Sequence, residues 1–150
     1  MEELYEKEWT RRIDLQQSFD KLIKRNIFQS VDPNINEKSF FEEKPALSFF
    51  TLRLFGFTGI ISNDFILKSM EEKAFRPATI IEAVDFIAEK KELFKWSLFP
   101  LIGSKGRGAR GAIVIPIITA IGGRLYLNLR PPQKEWTCKD EQIIFFGTKR

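Results

Sequence analysis

The segment Gly103–Gly111, GSKGRGARG, sets four glycines and three cations between two apolar runs of a chain that contains no histidine. Backbone N–H groups without side-chain hindrance and fixed positive charge are the ingredients of an anion-binding loop. Lys105, Arg107 and Arg110 would clamp phosphates there through charge-assisted hydrogen bonds. Gly106–Gly111 formally fits G-x-G-x-x-G. A dinucleotide fold, however, would follow the loop with a helix and place an acidic residue about 20 positions on. Here the β-branched run Ala112–Thr119 follows, and no acid occurs before Glu135. Lys105 precedes the glycine pair, against the order of a phosphate-binding P-loop. A kinase-like glycine hairpin fits the strand-loop-strand context, but the catalytic motifs of a kinase are missing from the sequence. The plain structural alternative is a solvated hairpin turn, basic for solubility and glycine-rich because its backbone needs positive φ.

A second constellation is Arg124–Arg130, RLYLNLR. In a strand, alternate residues share a face, so Leu125, Leu127 and Leu129 point one way and Arg124, Tyr126, Asn128 and Arg130 the other. Such a face can track a sugar-phosphate backbone and stack a base, each stacked base contributing about 1–3 kcal/mol. Trp136, in the turn region that follows, would extend the platform. Any half-exposed antiparallel strand also alternates in this way, which is the structural alternative. Whether loop and strand face share one side of the sheet is a question of register.

Other chemistry is sparsely supplied. Glu82, Asp85 and Glu89 lie at helical spacings of three and four, a layout that holds a hard cation or simply faces solvent, and the second is the expectation. With no histidine, serine–histidine and cysteine–histidine mechanisms are excluded. Any general base would be a carboxylate such as Asp64 or Glu82, a lysine, a tyrosine or Cys138. Cys138 lacks a base partner in the sequence and reads as structural. No catalytic residue, metal site or cofactor is expected.

The elements that must position these residues are read from periodicity. A chain of 150 residues with 43% hydrophobic content is enough for one domain with its own core. One cysteine excludes an intrachain disulfide and fits a reducing, cytoplasmic setting. The acidic first residues do not resemble a secretory signal. The longest apolar stretch, Ala46–Ile61, is interrupted by polar residues where a bilayer span needs about 20 mostly apolar ones, so it is read as core. Residues 1–100 carry 15 cations against 17 anions, and residues 101–150 carry 9 against 3. The last fifty residues therefore suit an anionic partner.

Tyr5, Trp9, Ile13, Phe19 and Ile23 recur at helical spacing and predict a long amphipathic helix over residues 2–26. Asp32-Pro33-Asn34 and Pro45 then punctuate an irregular linker. Asn63 or Asp64 starts a helix reaching about Ala74. Thr79-Ile80-Ile81-Glu82 matches the capping box, and a helix follows to about Glu92. Trp96–Ile102, Ala112–Ile121, Arg124–Arg130 and Gln142–Gly147 read as strands. Their short connections favour antiparallel pairing. The expected fold is α+β, with N-terminal helices packed on a C-terminal four-stranded, mostly antiparallel meander. Residues 1–45 form a helical arm plus linker and residues 46–150 the compact core of a single domain.

The function expected from these residues is binding of a polyanion, RNA or DNA foremost. Lys105, Arg107, Arg110, Arg124, Tyr126, Asn128, Arg130 and Trp136 would make the contacts. An alternative is a protein-interaction or structural subunit, possible as an oligomer, that docks through the aromatic segment 40–57 and the N-terminal helix. Fifteen phenylalanines motivate it, because a small core can leave some of them as an apolar patch. A third is an enzyme acting on a phosphorylated small molecule.

Overall fold

Thr79 and Glu82 start a helix where the capping box predicts one. The computed structural model describes residues 6–14, 16–40, 49–108 and 110–150, and of Thr58 and residues 138–141 the backbone alone. Along the described chain run β1 (Glu8–Arg12), α1 (Phe19–Leu22), β2 (Ser30–Val31), β3 (Phe49–Ser62), α2 (Asn63–Glu72), β4 (Phe75–Pro77), α3 (Ile80–Lys90), β5 (Trp96–Pro100), β6 (Gly106–Arg107), β7 (Ile113–Ile121), β8 (Arg124–Arg130) and β9 (Glu135–Lys149). At the start of α3, Thr79 Oγ1 accepts from the Glu82 N–H at 3.3 Å, and the Glu82 carboxylate accepts from the Thr79 N–H at 2.9 Å. The Ile80 N–H donates to Ser104 Oγ at 2.7 Å. Three donors that a helix start leaves unpaired are thus satisfied within the protein.

The strands form one mixed sheet in the order β1-β3-β9-β5-β7-β8-β2, with β4 added to β9 and β6 to β7. Among the described residues, three short helices and a mixed sheet of nine strands, with 44% of residues in strands, replace the expected four-stranded antiparallel meander under N-terminal helices. Two features of the sheet explain the difference. Within Glu8–Arg12, burial alternates with a period of two, and the segment pairs antiparallel with β3 from Glu8↔Arg53 to Arg12↔Phe49. Of the apolar residues that suggested a long helix, Tyr5 lies outside the described residues, and Trp9, Ile13, Phe19 and Ile23 approach one core from a strand, a loop and the single turn α1 with its C-cap. Tertiary pairing has overridden the local pattern.

The second feature is strand direction. Short connections do make sequential neighbours antiparallel, as in β5–β7 and β7–β8. The chain after β8 then crosses back over β7 and β5, so β9 lies parallel to β5 through Ser97↔Gln142 and Leu98↔Ile143. β2 joins β8 in parallel as well. The ambiguous stretch Ala46–Ile61 resolves into β3, which pairs with β9 from Leu52↔Thr148 to Ser62↔Glu135, with a register shift between Phe57 and Gly59.

The sheet buries both faces, unequally. On one face α3, α1 and the irregular residues between Ile13 and Phe40 pack against Leu52, Leu54, Phe99, Ile118, Leu125, Leu127 and Phe146. On the other, α2 places Ile66 and Met70 against Phe55, Ile117, Trp136 and Phe145. Eleven of the fifteen phenylalanines are buried; Phe49 and Phe65 are more than half exposed, and Phe41 lies outside the described residues.

The carboxylate of Glu82 is wholly buried and is held by four donors. Arg76 binds it with both terminal nitrogens at 2.9 Å, Thr148 Oγ1 donates at 3.0 Å, and the Thr79 N–H completes the set. This ties α3 to β4 and β9. Removing the guanidinium strands a buried charge, so Arg76→Ala is expected to lower unfolding stability by about 2–4 kcal/mol. Urea denaturation monitored by tryptophan fluorescence measures it, and a change below half a kilocalorie would contradict the role given to the pair.

Candidate functional site

Strand β8 has the alternation its sequence predicts. Gly122 and Gly123, with φ of +58° and +82°, make the two-residue turn that joins β7 to β8. That turn fixes the register from Ile121↔Arg124 to Ile115↔Arg130. Leu125 and Leu127 are buried in the α3-side core, with Leu129 packed against it. Arg124, Asn128 and Arg130 are exposed on the opposite face and Tyr126 is half-buried there.

The glycine loop divides into an interior and an exterior half. A Cβ on Gly103 would lie 2.4 Å from the Ala78 carbonyl oxygen, and one on Gly106 would lie 2.3 Å from the Phe40 ring. Between them Ser104 is buried and caps α3. These two glycines therefore serve close packing, and the loop's first half is no phosphate cradle. The second half is a tight turn, with the Gly108 N–H donating to the Ala112 carbonyl at 2.9 Å and the Gly111 N–H to the Gly108 carbonyl at 3.0 Å. Arg107 Nη1 donates to the Gly111 carbonyl at 2.9 Å. Lys105, Arg107 and Arg110 are all exposed; Ala109 lies outside the described residues.

Register answers whether loop and strand share a side. Arg107 pairs with Ile113 and Arg130 with Ile115. Ile113 and Ile115 are two residues apart on β7 and so share a face, and cross-strand partners share it with them. Arg107 and Arg130 therefore flank β7 on the same side, separated by two strand spacings, about 10 Å, and by one two-residue step along the strands. At the other end of β7, Ile121 pairs with both Arg124 and Trp96. Trp96, Arg124, Tyr126, Asn128, Arg130 and Arg107 thus occupy one sheet face.

Trp96 is the residue that sequence reasoning missed. It is 57% exposed. The pattern of Trp96–Pro100 names it as a strand residue, but only pairing to β7 puts it beside Arg124. Trp136, by contrast, leaves the expected platform: it is 1% exposed and its Nε1–H donates to Asn63 Oδ1 at 2.6 Å. Asn63 also donates through Nδ2 to the Gln133 carbonyl, and its N–H bonds the Lys134 carbonyl at 2.9 Å. This one side chain pins the entry to β9 onto the start of α2.

Charges elsewhere are committed to the fold. Asp85 accepts from Arg11 Nε at 2.8 Å and Lys24 Nζ at 3.3 Å, and Glu89 lies 3.5 Å from Arg11. The hydrogen bond to Asp85 raises the Arg11 pKa above its ordinary value, against the opposing effect of burial. The three carboxylates that sequence spacing grouped as a possible cation site therefore face arginine and lysine. Asp64 lines a shallow hollow of about 350 Å³ with Ser62, Asn63, Lys134 and Glu135. Among the described residues, no carboxylate pairs with Arg107, Arg110, Arg124 or Arg130.

No known family, curated protein or solved structure matches the chain. Among the described residues, no helix is long and apolar enough to cross a membrane.

The division of the loop has a direct check. Gly106→Ala forces a methyl group into the Phe40 ring and is expected to lower stability by about 1–3 kcal/mol. Arg107→Ala and Arg130→Ala should each stay within about 0.5 kcal/mol of wild type. Chemical denaturation of the three variants separates an interior Gly106 from one in a solvated turn, for which all three would behave alike.

Proposed function

We propose that the protein binds nucleic acid through the open sheet face, with the sugar-phosphate backbone laid along β8. The observation that carries this reading is the strand register, which gathers Arg107, Arg124 and Arg130 on one face with Tyr126 and Asn128. Guanidinium groups bind phosphate oxygens in bidentate geometry, and an asparagine amide adds donors to phosphate or sugar. Along β8 these polar residues recur at every second position, about 6.8 Å apart, which suits a ligand with regularly repeated charge.

The charge distribution supports the same reading. Arg11 and Arg76, which serve the fold, each have a carboxylate within 3 Å. Among the described residues the arginines on the open face have none, so their field is directed at solvent and at whatever anion approaches. Arg110, in the turn between β6 and β7, extends the positive region past the end of β8.

Fluorescence anisotropy with a labelled oligothymidylate across a salt series tests this. Affinity should fall as salt rises. The Arg107→Ala/Arg124→Ala/Arg130→Ala variant should bind more weakly, with a log–log salt slope shallower by about 2, at about 0.7 per phosphate contact on a single strand. Absence of binding at low salt, or a variant indistinguishable from wild type, would sink the proposal.

A further inference from the structure

We infer that Trp96 is a base-stacking site and that the nucleic acid taken by this face is single-stranded. The inference rests on the nucleic-acid reading of the same face and specifies which form is bound and which ring receives a base. Trp96 opens β5, and more than half of it stands in water. An indole left exposed in this way forgoes the gain of burying a large apolar surface. A stacked base would supply that burial.

The ring is positioned without being enclosed. Its Cζ2 and Cη2 lie 3.8 and 3.9 Å from where a Cβ on Gly122 would stand, so the indole rests beside the β7–β8 turn. The turn itself is tied to the residue before the tryptophan, since the Gly123 N–H donates to the Lys95 carbonyl at 3.1 Å. α2 and Trp136 cover the part of this face around Phe55, Ile117 and Phe145. They stop short of Trp96 and of Ile121, which is 44% exposed directly across from it.

Charge decides the occupant. On the far side of Ile121 stands Arg124, exposed and without a carboxylate partner among the described residues. A base on the indole would bring its own phosphate toward a guanidinium about 10 Å away, two strand spacings across the sheet. This pairing of an aromatic platform with a cationic track is what an unstacked strand requires. A duplex keeps its bases stacked on each other and presents only phosphates to a flat sheet, so it would engage the arginines and leave Trp96 idle.

Equilibrium binding of wild type, Trp96→Phe and Trp96→Ala to three probes tests this: labelled oligothymidylate, a mixed-sequence duplex, and inorganic polyphosphate as a competitor that has no bases. Thermal melts confirm that each variant is folded. Oligothymidylate should bind tightest and quench tryptophan fluorescence, and Trp96→Phe should abolish the quenching while keeping most of the affinity. Trp96→Ala should weaken oligothymidylate binding roughly tenfold, with duplex binding and the salt slope unchanged. Equal, salt-dependent binding of all three probes with no effect of Trp96→Ala overturns the stacking site and leaves the polyanion reading standing. Binding of none overturns both and turns attention to a protein partner for the apolar residues.

Discussion

The last strand of the chain is the constraint on which the rest depends. Through its fifteen residues, β9 pairs with β3 along one edge and with β5 and β4 along the other. The β1–β3 part of the sheet meets the β5–β7–β8–β2 part only through this strand. The Glu82 carboxylate, bonded at once to Arg76 beside β4, to Thr148 on β9 and to the first turn of α3, locks the helix over that junction. A buried charge is costly unless it is paired and fully hydrogen-bonded, and this one is both. The same economy explains Asp85, whose two cationic partners bring β1 and the end of α1 against α3.

Sealing one face in this way leaves the other only partly covered. α2 is ten residues long and shields the β3–β9 half of its face. Around Trp96, Ile121 and Arg124 nothing among the described residues packs over the sheet, and the exposed residues there are an indole, an isoleucine and an arginine. Arg11 and Arg76 face carboxylates inside the fold, whereas Arg107, Arg124 and Arg130 have no carboxylate partner among the described residues, which separates charge that holds the protein together from charge available to a ligand.

Much of this was legible in sequence wherever local chemistry decides structure. The capping box at Thr79–Glu82 is satisfied atom for atom, and the alternation of Arg124–Arg130 holds because a Gly-Gly turn fixes its register. Ser62 rather than Asn63 caps α2, a shift of one residue with the same physics. What failed was non-local. Glu8–Arg12 is a strand only because β3 offers it an edge, and β9 lies parallel to β5 only because the chain crosses back past β7 and β5 after β8. Two of the glycines that suggested a phosphate loop are required by Phe40 and by the backbone at Ala78, neighbours that sequence does not reveal. Trp136 carried the right residue type for stacking, but Asn63 claims its N–H inside the fold. Trp96 went unnoticed because exposure of a strand residue depends on what covers it.

Amide chemical-shift mapping of the isotope-labelled protein, titrated with oligothymidylate, bears on all of this at once. Perturbations gathered at Trp96, Ile121–Tyr126, Asn128, Arg130 and Arg107, with Ile80–Lys90 and Asn63–Glu72 unmoved, would place the ligand on the open face that register defines. Perturbations centred on either helix, or none at any concentration, would show that the cations gathered there have a different purpose.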